Sequence, residues 1–254
     1  MTEPKYIRIY QLVPIVLVLV IWELIVRQES QMIFFFGLPS RIAGYFYSKT
    51  LDGSLLTDLS VTMTEALTGF ILGNLVGTLL GLGLWYSRTA FAISKPYIIA
   101  LGSAPIFALS PILIIWFGTG IFSKIMIALL STVFIALFQA YTGASEVSND
   151  YLRLMKTFGA TKTQTFRKVV APSAVVWVIS AFKINVGFAL LGAFIGEFIS
   201  SNRGLGHLIL VASGLFDISL VLCGVLLLVV IALTLNFAIT KIEPPLKRLI
   251  VKHL

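Results

Sequence analysis

Long apolar segments alternate with shorter polar ones along the chain. Six of the apolar segments predict transmembrane helices, because about 20 apolar residues in an α-helix cross the hydrocarbon core of a bilayer. One polar interruption, residues 146–172, is longer than the others. The pattern therefore predicts an all-α membrane protein with one domain over residues 1–254. The predicted spans are residues 10–26, 61–86, 96–116, 125–141, 173–199 and 220–239.

The polar segment, EVSNDYLRLMKTFGATKTQTFRKVVAP, begins with the pattern of a short amphipathic helix. Asn149 or Asp150 is placed to cap the start of this helix, and Gly159 is placed to end it. The apolar residues of this stretch recur at intervals of three and four, so they share one helical face. They are Tyr151, Leu154, Met155 and Phe158.

A second helix is predicted to begin just after Gly159. Thr161 and Gln164 have the spacing of a capping box, in which each side chain hydrogen-bonds the backbone N–H of the other residue. The apolar side of this helix begins at Phe166, and Pro172 either stops the helix or opens the next one. The polar segment is thus predicted to be a helix, a glycine turn and a second helix between two spans.

Composition agrees with a membrane protein and excludes several other classes. Of the 254 residues, 58% are hydrophobic and 12% charged, with a mean hydropathy of +0.98, which is outside the range of a soluble domain. The single cysteine, Cys223, predicts a small core residue rather than a disulfide or metal site. His207 and His253 are too few for a usual metal site and are predicted to be solvated. The basic residues are dispersed without stacking aromatics, which argues against nucleic-acid binding.

The first span follows a short basic head, so a cleaved signal peptide is an alternative interpretation. Its apolar run ends in Ile21-Trp22-Glu23-Leu24-Ile25, without a small-x-small cleavage site, which favours a retained span. The mixed residues 27–58 then predict a segment lying at the membrane interface.

The second span contains a regular glycine pattern. Gly69, Gly73, Gly77 and Gly81 recur at every fourth position and therefore lie on nearly one face of the helix. Small residues at this spacing allow a second helix to approach closely. Helix packing is the favoured interpretation, and a gating hinge is the alternative.

The third span contains Ser103, Pro105 and Pro111. Proline inside a span frees backbone carbonyls and bends the helix, and such breaks are tolerated mainly where they line protein or a cavity. Residues 103–111 are therefore a candidate wall of a translocation path. A purely structural kink is the equally weighted alternative.

Ionisable side chains inside apolar runs are costly and therefore informative. Glu23 and Glu197 lie near predicted span ends, where reaching the interface is the simplest explanation, although Glu197 is also a candidate path residue. Glu65 and Lys183 lie deeper. Two interpretations remain open for them: they pair with each other across helices, or Lys183 lends positive potential to a path for an anion.

The basic residues predict the orientation of the chain. With six spans, both termini lie on one side, and that side collects most of the 19 lysine and arginine residues, including five in the polar segment. The positive-inside rule then places both termini and the polar segment in the cytoplasm.

Motifs for enzymatic chemistry are absent from the sequence. There is no GxxxxGK(S/T) loop for phosphates and no HExxH zinc motif, and no nucleophile lies in a local cluster with a base. Transport is therefore favoured over a membrane enzyme or a scaffold. An ion-gradient-driven secondary transporter is the alternative, but the two halves show no clear repeat and Glu65 is the only carboxylate deep in a span.

Several motifs together resemble one family. In the polar segment, Gly159-Ala160-Thr161, the run Thr165–Val170 and Pro172 resemble the EAA loop of ABC importer permeases. Further matches resemble the nitrate, sulfonate, taurine and bicarbonate group of these permeases, and the resemblance covers about Leu38 to Val211. They are Leu38-Pro39-Ser40, Leu109-Ser110-Pro111, Ile114–Gly118, Gly196-Glu197-Phe198 and Gly204–Ile209.

This resemblance implies a type I ABC importer permease fold of about six helices with a cytoplasmic coupling helix. It implies a pair of permease copies around a central path in the cell inner membrane, two cytoplasmic ATP-binding cassette subunits and a periplasmic or lipid-anchored binding protein. It also implies no cofactor in this chain, with ATP and Mg bound by the ATPase partner. A small, anionic solute is predicted, although relatives of this type also carry neutral heterocycles.

In the family, the helix of the EAA loop docks in a groove on the ATPase subunit. Arg153-Leu154-Met155 occupies the Glu-Ala-Ala place and departs from it at all three positions, so any salt contact of the family glutamate does not transfer. Docking through the apolar face remains the expectation. The predicted coupling residues are Arg153, Leu154, Met155, Phe158, Gly159, Ala160, Thr161 and Phe166, and the predicted path residues are Ser103, Pro105, Pro111, Lys183 and Glu197.

Overall fold

The computed structural model describes the backbone of residues 5–251 and the side chains of residues 13–244, and every regular element in this part of the chain is helical. In chain order the helices are α1 (Lys5–Val26), α2 (Ser30–Phe36), α3 (Pro39–Leu51), α4 (Ser54–Leu84), α5 (Arg88–Gly102), α6 (Ile106–Phe117), α7 (Ile121–Ser145), α8 (Asn149–Thr157), α9 (Lys162–Thr165), a π-helical turn (Phe166–Val170), α10 (Ala171–Ser200), α11 (Leu205–Gly214) and α12 (Ile218–Val251).

Within the described part of the chain, four helices are long and apolar enough to cross a membrane: Ser54–Leu84, Ile121–Ser145, Lys162–Ser200 and Ile218–Pro244. The bent pair α5 and α6 would make a fifth crossing. The apolar part of α1, Val13–Val26, is shorter than these helices. This part of α1 coincides with the first predicted span. The total of six spans stays a prediction.

The centre of the fold is the bundle of α4, α7 and α10. The four glycines at every fourth position of α4 face α7, as the packing interpretation predicts. A methyl group at Gly73 would lie 2.8 Å from the backbone oxygen of Leu129, and one at Gly77 would lie 2.8 Å from Cβ of Ala136. Side chains at these positions would force the helices apart. The glycine stripe therefore sets the separation of the two helices.

The third predicted span is two helices rather than one kinked helix. The axes of α5 and α6 differ by 92°, and the break lies between Gly102 and Ile106. Pro105 is the N-cap of α6, and because proline disfavours helical backbone at the residue before it, α5 cannot run through Ala104. By contrast, Pro96 lies inside α5 and Pro111 inside α6. The break therefore coincides with only one of the prolines.

The helix that contains the fifth predicted span begins earlier than the sequence pattern suggests. A continuous helical stretch runs from Lys162 to Ser200, through α9, the π-helical turn and α10. Pro172 lies in the first turn of α10, as the second of the two predicted alternatives has it, and α10 follows the π-helical turn without a break. A wider turn accommodates a residue that lacks an N–H. The second half of the polar segment is thus a rigid extension of a membrane helix.

The predicted interfacial segment, residues 27–58, folds mainly as α2 and α3. Glu23 fixes α3 to the end of α1, since its carboxylate accepts hydrogen bonds from the backbone N–H and the hydroxyl of Ser40 at 3.0 and 2.7 Å. The Ser219 hydroxyl of α12 accepts a hydrogen bond of 3.1 Å from the backbone N–H of Leu38. These bonds attach the start of the chain to the last helix.

Candidate functional site

The helix α8 has the predicted position and a different cap. Ser148 is the N-cap, and its hydroxyl accepts a hydrogen bond of 3.3 Å from the backbone N–H of Asp150. The prediction that Asn149 or Asp150 caps the helix is therefore wrong by one or two residues. Asp150 lies in the first turn and Lys156 in the last, where each charge complements the helix dipole.

The apolar face of α8 points away from the bundle. Tyr151, Leu154 and Phe158 are 61%, 49% and 75% exposed, whereas Met155 is half-buried. On the other side of the helix, Leu152 packs against the buried Ala144, Val170 and Ala174 cluster. One side of α8 thus holds it to the bundle, and the other presents large apolar side chains with no partner among the described residues.

A tight turn connects α8 to α9. Gly159 has a φ of +69°, and the N–H groups of Gly159 and Ala160 donate to the backbone oxygens of Lys156 and Met155 at 2.9 Å each. This is a Schellman motif, which confirms the predicted glycine end of the helix. The predicted capping box is also present, with Thr161 and Gln164 bonded reciprocally at 2.8 and 3.2 Å.

The predicted coupling residue Phe166 ties this segment to α4. Its ring centroid lies 5.5 Å from that of Trp85 and 5.0 Å from that of Tyr86, just beyond the end of α4. Lys162 donates a hydrogen bond of 2.5 Å to the backbone oxygen of Tyr86. Because α9 is also continuous with α10, a displacement of α8 can reach two membrane helices directly.

The predicted path residues do not form one cluster. Ser103, Pro105 and Pro111 lie exposed along the α5 and α6 pair, and the Ser103 hydroxyl donates to the backbone oxygen of Ile99 at 2.7 Å. Lys183 is half-buried on α10 and forms a salt bridge with Glu243 of α12. The proposed pairing of Lys183 with Glu65 is therefore wrong. The two residues lie at different depths of the bundle, which hydropathy alone does not show.

Glu197 is buried inside the protein, whereas the prediction had its side chain reach a membrane interface. It is fully buried at the end of the bundle opposite α8. Its carboxylate accepts hydrogen bonds from the Thr62 hydroxyl and from the backbone N–H of Gly206, both at 2.7 Å. The cause is the chain reversal after α10, which folds α11 back over this carboxylate.

The start of α11 is held by side chains of α4 and α10. The N–H of Gly204 donates to Asp58 at 2.9 Å, and that of Leu205 donates to the Thr62 hydroxyl at 2.9 Å. A methyl group at Gly206 would lie 2.8 Å from Cβ of Glu197, and one at Gly204 would meet its carboxylate. The Gly204-Leu205-Gly206 motif therefore allows the backbone of α11 to approach Glu197.

A buried lysine belongs to the same cluster, and the sequence reasoning missed it. Lys124 of α7 is 1% exposed and donates a hydrogen bond to the backbone oxygen of Thr119. Its positive charge interacts with the carboxylates of Glu65 and Glu197. The sequence did contain one signal for the cluster. Asp58, Thr62 and Glu65 recur at intervals of four and three, which places three polar side chains on one face of α4.

The sequence also makes predictions for the single cysteine and the two histidines. Cys223 is buried, as predicted for a core residue. The prediction that His207 is solvated is wrong in part, because its Nδ1 atom is buried. His253 lies outside the described residues.

Sequence comparison identifies relatives across most of the chain. Residues 73–248 match the family of binding-protein-dependent transport system inner membrane components. A probable ABC transporter permease of Haemophilus influenzae is 32% identical over 87% of this chain and 89% of its own length. The formylaminopyrimidine transport permease of Halalkalibacterium halodurans is 32% identical over 75% of this chain and 76% of its own length. The taurine transport permease of Escherichia coli is 25% identical over 76% of this chain and 70% of its own length.

The fold agrees with solved structures of permeases. A chain of the MetNI methionine ABC transporter in an inward-facing conformation superimposes with a TM-score of 0.69 at 17% identity, over 78% of this chain and 98% of that one. This confirms the predicted type I importer fold, and the family match excludes the alternative of a secondary transporter. The chain therefore belongs to the binding-protein-dependent transport system inner membrane components and is a permease subunit of an ABC importer.

Proposed function

We propose that this permease subunit receives the force of ATP hydrolysis through α8, which docks in a groove of a separate cytoplasmic ATPase subunit. The observation that carries the proposal is the outward face of Tyr151, Leu154 and Phe158, on a helix whose inner face is packed on the bundle. A short helix with exposed apolar anchors is suited to a groove on a partner protein. Arg153 and Lys156 lie on the other side of α8, so the proposed contact depends on the apolar side chains.

The contacts around α8 support a rigid relay. Leu152 and Phe166 join α8 and the π-helical turn to the cluster of Ala144, Val170 and Ala174. This cluster connects the ends of α7 and α10. When ATP draws two ATPase subunits together, docked α8 helices would move with them, and α4, α7 and α10 would follow as packed units.

The translocation path is proposed to form between two copies of this chain. The break between α5 and α6 exposes Ser103 and Pro105, and Pro111 is exposed six residues further along the chain. Broken helices in membranes occur where they face protein or a water-filled cavity, so a second copy is the expected occupant of this surface. ATP and Mg are held by the ATPase partners, the binding protein delivers the solute, and both termini face the cytoplasm.

A small neutral nitrogen heterocycle is the proposed class of solute, in place of an anion. One argument for an anion was a free charge on Lys183, and that charge is paired with Glu243. The formylaminopyrimidine permease is more similar in sequence than the taurine permease, at 32% against 25% identity. The salt bridge removes one fixed positive charge from the path, and the higher identity favours a heterocyclic solute.

Reconstitution tests this function. Proteoliposomes that contain the permease, its co-purified ATPase and its binding protein should take up a labelled formylaminopyrimidine when ATP is inside, and collapse of ion gradients should not affect uptake. The aminosulfonate taurine, at the same concentration, is the control and should not compete. Uptake without ATP would contradict the coupling proposal, and uptake of taurine in preference to the pyrimidine would contradict the proposed solute class alone.

A further inference from the structure

A large cavity lies between α8 and the ends of the membrane helices. Its volume is about 1040 Å³, at the upper end of the range for ligand sites. The walls come from the segment between α4 and α5, from the end of α7, and from the inner side of α8 and α9. The cavity thus spans the joint between the coupling segment and the bundle.

The charged residues that line this cavity are all basic. They are Arg88, Arg153, Lys156 and Lys162, and no acidic residue is among the described residues that line it. Arg88, Arg153 and Lys156 form no salt bridge with any described residue. Like charges that converge on one concave surface repel each other unless an anion neutralises them. The cavity therefore favours a negatively charged occupant.

The uncharged lining narrows the kind of anion. Trp85, Tyr86 and Tyr141 line the cavity, and such aromatic side chains concentrate at the level of lipid headgroups. Ser145 and Asn149 also line it, and a hydroxyl and a side-chain amide can bind the oxygens of an ester or a glycerol. Arginine forms paired hydrogen bonds with phosphate oxygens, and lysine adds a mobile charge. The cavity lining therefore suits a phosphate group that is attached to a polar group such as an esterified glycerol.

The cavity and the proposed ATPase contact lie on opposite sides of α8. By helical spacing, Leu152, Arg153 and Lys156 are turned away from Tyr151, Leu154 and Phe158. A ligand in the cavity and a partner on the outer face can therefore be present together. Such a ligand would link α8 to α5 through contacts with Arg153 or Lys156 and with Arg88.

We propose that this cavity binds a phosphate-bearing anion at the membrane interface, and that the anion bridges the coupling segment to the start of α5. The headgroup of an anionic phospholipid and a free phosphate are two sources of the same chemistry. Basic pockets between membrane helices on the cytoplasmic side are suited to anionic lipid headgroups.

The test compares two probes on the full-length chain in a neutral detergent. Native mass spectrometry counts bound dioleoylphosphatidylglycerol against dioleoylphosphatidylcholine, and equilibrium dialysis measures labelled inorganic phosphate. Arg88→Gln and Lys156→Gln each remove one cavity charge, and each should weaken binding of the anionic probe about fivefold. Lys95→Gln is the matched control, because Lys95 is an exposed cation of the same helix, α5, and does not line the cavity.

The outcomes separate the two sources. Selective retention of phosphatidylglycerol that falls in both cavity variants assigns a lipid headgroup, whereas saturable binding of phosphate alone that falls in them assigns a soluble anion. The proposal is overturned if Arg88→Gln and Lys156→Gln bind both probes as tightly as wild type and Lys95→Gln do. It is also overturned if the neutral lipid binds as tightly as the anionic one.

Discussion

Thr62 and Glu197 are 135 residues apart in sequence and share a hydrogen bond of 2.7 Å inside the bundle. The same hydroxyl accepts a hydrogen bond of 2.9 Å from the backbone N–H of Leu205. One side chain thus links α4, α10 and α11. The three helices are joined at the end of the bundle that is farthest from α8.

Thr62→Val tests the structural importance of this link. The substitution keeps the shape of the side chain but leaves the N–H of Leu205 and the Glu197 carboxylate without this partner in a buried site. The expected loss of stability is about 1–3 kcal/mol, measured as unfolding of the purified protein in detergent. Thr64→Val is the control, because the exposed Thr64 hydroxyl only donates to its own helix at Ser60. Equal stability of the two variants would contradict the described arrangement.

The glycine stripe of α4 allows a second comparison between a test substitution and a control substitution. In Gly77→Ala the new methyl group would meet the backbone oxygen of Val133 and lie 2.8 Å from Cβ of Ala136, which we expect to destabilise the bundle by about 2 kcal/mol. In Gly83→Ala, on the same helix, the methyl group meets open space, and a small gain from the helix propensity of alanine is expected. Thermal unfolding of both variants measures the difference, and a destabilised Gly83→Ala beside an unchanged Gly77→Ala would refute the packing.

Lys183→Met tests the proposed solute class. The Lys183 side chain is about a third exposed in its salt bridge with Glu243, so its removal should cost at most about 1 kcal/mol of stability. Since the charge is paired, uptake of the neutral pyrimidine should be retained. Unchanged stability together with a tenfold loss of uptake would instead show that the lysine acts on the solute. Glu243→Gln serves as the control for the pair itself.

Gly159 sets the direction of the turn after α8. Its φ of +69° is not available to proline, and its N–H donates to Lys156, so Gly159→Pro should abolish transport while the protein remains in the membrane. Gly159→Asn is the control, since asparagine tolerates this backbone region, and it should retain most of the activity. Uptake and ATPase activity stimulated by the binding protein are the two measurements. Equal activity in both variants would show that the turn has no part in coupling.

Local features were predictable from the sequence. The apolar face of α8, the end at Gly159, the capping box of Thr161 and the glycine stripe all depend on residues within a few positions of one another. Each of these signals acts through the backbone of a single helix or turn. They could therefore be interpreted without knowledge of the tertiary fold.

Long-range polar contacts were not predictable in the same way. Hydropathy indicated that Glu65, Lys183 and Glu197 lie in apolar surroundings, but it does not give the rotation of one helix against another. That rotation pairs Lys183 with Glu243 and brings Lys124 to the two glutamates. The chain reversal that buries Glu197 also depends on α11, whose position is set by distant residues such as Asp58.

Leu154→Glu tests the central claim, that the outer face of α8 couples an ATPase to the bundle. A charge at this half-exposed apolar position should leave the folded permease in the membrane but lower both uptake and stimulated ATPase activity at least tenfold, because interface anchors contribute most of the binding energy. Thr163→Glu introduces the same charge at an exposed position of α9 and should be nearly normal. Normal uptake with normal ATPase coupling in Leu154→Glu would contradict the account.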